Sequence, residues 1–189
     1  LGYKTDITGR TLGYEKQLSA NTMLGILFSD RKNDSKYRAN GGSTVTQSYY
    51  LGLYGRFSVD SYFAETSLLA GRSDSDTTRN INTGLTSQKS TSDVDSEGYS
   101  LSVLGGRPFE FDQLQISPVI GLSYSRVTVD SFTEAGSIVS VTANKTDFDS
   151  YQSKLGVRLN YPLNTAWFTG DIELNSYWLH QLGDSDRAH

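Results

Sequence analysis

Apolar side chains in this chain recur at every second position, and few signals restrict a fold more tightly. In residues 49–57 the odd positions carry Tyr49, Leu51, Leu53, Gly55 and Phe57, while the even positions carry Tyr50, Gly52, Tyr54 and Arg56. In residues 116–124 the apolar set Ile116, Pro118, Ile120, Leu122 and Tyr124 interleaves with Ser117, Val119, Gly121 and Ser123. In residues 155–163 the set Leu155, Val157, Leu159, Tyr161 and Leu163 interleaves with Gly156, Arg158, Asn160 and Pro162. The same alternation, with more noise, runs through 12–16, 22–28, 62–70, 99–105 and 168–178. Helical spacing fits none of these windows as well. A period of two sends alternate side chains to opposite faces of a strand. The chain is therefore expected to be all-β, with about eight strands in antiparallel, up-and-down order.

The connections alternate in length. Short turns are expected at 19–21, 58–61, 110–113 and 164–165, and long polar loops at 30–46, 73–97 and 130–149. Tight turns on one side and long, Ser-, Thr-, Asp- and Asn-rich loops on the other are the rhythm of an outer-membrane barrel. A soluble up-and-down barrel has no need of that bias. The clearest alternating runs last about nine to eleven residues, the length of a tilted strand crossing a bilayer.

The two faces then differ in chemistry. Parity places Glu15, Arg56, Glu65, Arg158, Asp171 and Glu173 on the less apolar face, which would line the lumen of a barrel, where opposite charges can pair. The apolar face carries Tyr49, Tyr62, Tyr99, Tyr124, Tyr161 and Trp178 at or near its ends. Rings at both edges of an apolar band are expected of an interfacial girdle, with the ring among headgroups and its polar atom in water. In a soluble sandwich the same rings would fill the space between two sheets. Backbone groups in lipid must all be paired, so the sheet has to close. The polar face holds many small residues, among them Gly52, Ser67, Ser100, Ser102, Gly121 and Ser123. They would leave an eight-stranded lumen underfilled, so a wider barrel is expected.

Other functions are poorly supported. The net charge is −4, from 17 basic and 21 acidic residues, which argues against a nucleic-acid partner. The absence of Cys excludes a disulfide framework and thiolate metal sites. No run approaches the roughly 20 apolar residues of a membrane-spanning helix, and the first ten residues lack the apolar core of a signal peptide. Asp93, Asp95 and Glu97 lack the Gly and closing Glu of a calcium loop. Gly105 and Gly106 precede no helix that could cradle phosphate. Of the two histidines, His180 falls on the apolar parity near the rim and His189 at the end, so no catalytic triad is expected. Neither an enzyme activity, nor a metal, nor a cofactor is expected.

Several motifs resemble the translocator β-barrel domain of autotransporters, the type V secretion proteins of Gram-negative bacteria. Gly13-Tyr14-Glu15-Lys16-Gln17-Leu18-Ser19 and Leu24-Gly25-Ile26-Leu27-Phe28-Ser29 resemble paired strands near the start of that domain. Tyr49-Tyr50-Leu51-Gly52-Leu53-Tyr54-Gly55 resembles its recurrent Y-x-L-G-L-Y-G strand. The most specific block is Pro118-Val119-Ile120-Gly121-Leu122-Ser123-Tyr124 followed by Val129-Asp130-Ser131-Phe132-Thr133-Glu134-Ala135-Gly136. Ser153-Lys154-Leu155-Gly156-Val157-Arg158-Leu159 also fits. Trp178-Leu179-His180-Gln181-Leu182-Gly183-Asp184 fits as a variant of W-x-H-E-F-x-D, departing at Gln181 and Leu182.

The resemblance implies a twelve-stranded barrel threaded by a helix, located in the bacterial outer membrane, anchoring an N-terminal passenger and exporting it to the cell surface. Its partners would be outer-membrane lipid, its own passenger and pore helix, and the barrel assembly machinery. Residues 1–189 would then be a fragment of that domain, holding the second to ninth strands. The competing expectation is a complete eight-stranded outer-membrane barrel with adhesive or structural loops.

Overall fold

A computed structural model describes residues 2–38, 40–82, 86–164 and 167–182. Eight long strands form one antiparallel sheet: β1 (Tyr3–Ser19), β2 (Thr22–Tyr37), β3 (Gly42–Val59), β4 (Tyr62–Asn82), β5 (Ser87–Gly106), β7 (Leu114–Val129), β10 (Thr146–Asn164) and β11 (Thr169–Leu182). Each pairs with the next in that order, while short β6 (Phe109–Phe111) adds to β7. A separate hairpin joins β8 (Phe132–Thr133) to β9 (Thr142–Ala143). Two-residue turns link β3 to β4 and β6 to β7, and each opens on an aspartate at positive φ, Asp60 at 52° and Asp112 at 55°. Aspartate tolerates that left-handed region because its short polar side chain bonds locally. The turn expected at 164–165 reaches beyond the described residues, as does the end of the 178–184 motif.

The strands are longer than the alternating hydrophobicity suggests. Residues 30–46 and 73–97, expected as loops, are mostly strand. β2 continues to Tyr37 and β3 resumes at Gly42, and the β4–β5 ladder runs without a register shift from Phe63 opposite Gly106 to Asn82 opposite Ser87. Loss of apolar residues marks where the apolar face ends, whereas the ladder persists because backbone pairing needs no apolar side chain. Hydroxyl pairs reinforce the projecting part: Thr44 with Thr77 at 3.0 Å, Thr46 with Ser75 at 3.0 Å, and Thr5 with Ser35 at 2.8 Å.

The connection at 130–145 folds back onto the β4–β5 hairpin. The Thr91 and Ala135 backbones exchange hydrogen bonds of 2.9 and 2.8 Å. Arg79 clasps Glu134 by donating from Nε and Nη2 to its two carboxylate oxygens, and Ser90, almost fully buried, donates to the same carboxylate at 3.1 Å. Gln88 Oε1 accepts from the Ser137 hydroxyl at 2.8 Å and the Ile138 amide at 3.1 Å.

The core is small and lies on one face of the sheet. Phe63, Leu104 and Val119 are the buried hydrophobic residues among those described, with Tyr177 packed against them. The opposite face carries the apolar rows in the open: Leu12 is 75% exposed, Ile120 67%, Leu51 55% and Leu174 60%, while Leu159 is half-buried among its neighbours. No second layer covers these rows among the described residues, so the sandwich alternative fails. A closed ring of these eight strands would pair β1 with β11. In the described residues β1 pairs only with β2, and β11 only with β10.

Candidate functional site

The inner face is organised by one ion pair that crosses the sheet. Glu65 stands on β4 and Arg158 on β10, with β5 and β7 between them. In a flat sheet three strand spacings alone amount to roughly 14 Å, and Arg158 lies further along β10 than Lys154, the residue directly across from Glu65. Curvature brings them together, and Arg158 donates to both carboxylate oxygens of Glu65, at 2.8 and 2.7 Å. This forked geometry is the strongest form of the pair. Both side chains are mostly withdrawn from solvent, 28% exposed for Glu65 and 23% for Arg158.

Neighbouring residues hold the pair in place. Arg158 Nε donates to the Tyr177 hydroxyl at 2.9 Å. Arg56, directly opposite Glu65 on β3, approaches it at 3.8 Å. The guanidinium carbons of Arg56 and Arg158 stand 4.9 and 5.7 Å from the centre of the Phe63 ring. The Lys154 ammonium lies 5.0 Å from the Tyr177 ring centre. These cation–ring contacts stabilise positive charge where hydration is reduced.

The six residues expected on this face divide by register. Arg56, Glu65 and Arg158 come together, and Glu173 lines the same small cavity as Arg56, Phe63 and Arg158 while accepting from Asn175 at 2.8 Å. Glu15 stands apart, accepting from the Tyr54 hydroxyl at 3.2 Å. Asp171 lies opposite Pro162, four residues along β10 from Arg158 and outside the cluster.

Parity places Tyr54 on the same face as Arg56, but it does not single out Phe63, Lys154 and Tyr177 as part of this wall. What distinguishes its aromatics is a glycine on the adjacent strand. Tyr54 lies over Gly25, Tyr50 over Gly71, Phe63 over Gly106 and Tyr177 over Gly156. A Cβ added to Gly106 would stand 2.6 Å from the Phe63 ring, and the other three sites are tighter still. Rings from neighbouring strands occupy these glycine seats. The device pins strand register as well as filling space.

On the outer face, all six residues expected at the ends of the apolar band follow the outward parity. Tyr124 packs between Tyr99 and Tyr151, with ring centres 5.8 and 4.7 Å away, and donates to Asp149 at 2.6 Å. Trp178 stacks on His180 at 5.4 Å. Tyr49, Tyr62 and Tyr161 stand separately on this face, 38%, 58% and 39% exposed. No group of three or more His, Cys, Asp or Glu able to hold a metal occurs among the described residues.

Comparisons with known proteins agree with this geometry. The autotransporter beta-domain family model matches residues 1–189. The translocator domain of NalP from Neisseria meningitidis superposes with a TM-score of 0.84 at 18% identity, over 96% of this chain and 62% of that one. The beta domain of the Bordetella autotransporter BrkA superposes with a TM-score of 0.71 at 20% identity, over 95% of this chain and 73% of that one. An extracellular serine protease of Serratia marcescens is 26% identical over 98% of this chain, and outer membrane protein A of Rickettsia conorii is 27% identical over 86%. The chain spans only 18% and 9% of those two relatives. With its outward apolar rows, its polar inner wall and a family match over its full length, this chain belongs to the autotransporter beta-domain family, barrels of the bacterial outer membrane.

Proposed function

We propose that this domain anchors its parent protein in the outer membrane and provides the wall along which an N-terminal passenger reaches the cell surface. The observation that carries the reading is the Glu65–Arg158 bridge, which curls four strands around a polar interior while the opposite face stays apolar and bare. A polar wall shields an extended chain, or a pore helix, from hydrocarbon that cannot satisfy its backbone groups. In this reading Glu15, Arg56, Glu65, Arg158, Asp171 and Glu173 line the lumen. Tyr49, Tyr62, Tyr99, Tyr124, Tyr161 and Trp178 sit in the interfacial zones. Further strands pair with β1 and β11 to close the wall, and the barrel assembly machinery inserts it.

The test is surface display by cells making the whole parent protein. Passenger should be cleaved by external protease on intact cells, and deletion of residues 49–124 should leave it protected inside the envelope. Equal surface exposure with and without those strands would overturn the reading.

A further inference from the structure

The lower part of the wall contains a gap in its ladder. β5 ends at Gly106 and β6 begins at Phe109. Pro108, between them, has no N–H to donate. Register against β7 is the same on both sides, with Gly106 opposite Val119 and Phe109 opposite Ile116. Arg107 therefore stands opposite Pro118, and its amide donates to the Pro118 carbonyl at 3.3 Å. Alternation directs its side chain outward, with Gly105 and Phe109. A charged residue on the lipid side of a barrel is costly unless it reaches the interface. Arg107 neighbours Tyr62, the first residue after the short turn that ends β3. Short turns mark the periplasmic side.

The surroundings of Arg107 suit an anion. Its guanidinium carbon is 5.4 Å from the Tyr62 ring centre and 4.9 Å from that of Phe109. Among the described residues no carboxylate pairs with it. The rings hold the cation but use none of its acceptor-seeking N–H groups, and a guanidinium fork matches two phosphate oxygens. Beside it an open groove of about 480 Å³ passes over Gly105, bordered by Tyr62, Pro118, Ile120 and Leu155. Gly105 keeps the groove open, since a Cβ there would meet nothing closer than the Phe63 carbonyl oxygen at 3.7 Å.

We propose that Arg107 and this groove bind one acidic diacyl phospholipid of the periplasmic leaflet, its phosphate on the guanidinium and an acyl chain over Gly105. Charge complementarity selects the headgroup: a net anion meets a cation that has no acid partner among the described residues. Continuity with the bare apolar face selects a lipid tail. The proposal rests on that face lying in lipid and is independent of passenger export.

The test is native mass spectrometry of the detergent-purified parent protein, titrated separately with phosphatidylglycerol and phosphatidylcholine. One phosphatidylglycerol should be retained in preference to phosphatidylcholine. Arg107→Gln should weaken that retention about tenfold, the size of one charge-assisted hydrogen bond. Arg107→Lys, which keeps the charge and loses the fork, should fall between. Gly105→Leu should fill the groove and lower retention of both lipids, with folding checked by resistance to unfolding in detergent. Equal retention of the two lipids by the unaltered protein, or undiminished phosphatidylglycerol binding by Arg107→Gln, would overturn the site. Neither result would bear on surface display.

Discussion

Glu65 serves two cations at once, accepting both prongs of Arg158 and lying near Arg56. Glu65→Ala would leave two positive charges facing each other over Phe63. The expected loss is about 2 kcal/mol, reduced from the value for a fully buried pair because water still reaches both partners. Urea unfolding of the lipid-reconstituted protein would measure it, with Glu15→Gln as a comparison. Glu15 accepts one long, exposed hydrogen bond from Tyr54, so that change should cost no more than about 0.5 kcal/mol. Glycine seats make a second test at this scale. Gly156→Val would drive a branched side chain into the Tyr177 ring, displacing the hydroxyl that receives Arg158. Overpacking of this kind costs about 1–3 kcal/mol, and a Tyr177→Ala background should relieve part of it.

At the level of the strand, parity decides tolerance. Ile120 faces outward and Ser123 inward on the same strand. Ile120→Arg should cost about 2–4 kcal/mol near the bilayer midplane, while Ser123→Arg should be close to neutral. Refolding yields into lipid vesicles would separate the two, and equal penalties would contradict the assignment of faces. The strap at 130–145 offers a pH-dependent test outside the membrane. Arg79 beside Glu134 holds its carboxyl below the ordinary carboxylate range. A carboxyl whose folded value is depressed contributes stability above its unfolded value and loses it as pH falls through the folded one. Docking of the strap should therefore persist at neutral pH and weaken as the medium becomes more acidic than the usual carboxylate range. The protection of the Ala135 amide, hydrogen-bonded to Thr91, relative to the intrinsic exchange rate at each pH should fall over that interval. In Glu134→Gln that protection should be low at every pH.

Over the whole molecule, the question is what lies beside β1 and β11. The chain has no cysteine, so introduced pairs report cleanly. Leu51→Cys with Ala70→Cys should cross-link in cells, because the two residues are direct partners in the sheet. Leu12→Cys with Trp178→Cys should not, if further strands separate β1 from β11 in the parent barrel. The period of two, the turn residues and the apolar runs were enough to identify an antiparallel sheet and both of its faces. Each is written locally, in neighbours a few residues apart, and a strand's two faces follow from backbone geometry alone. The polarity of 30–46 and 73–97 misdirected the reading because side-chain polarity reports solvent, whereas a ladder depends on the backbone opposite. The meeting of Glu65 with Arg158, 93 residues apart, the seating of Tyr54 on Gly25 and the clasp of Arg79 on Glu134 were decided only by tertiary structure. Those contacts depend on register and curvature summed across several strands, and no single stretch of sequence carries that sum.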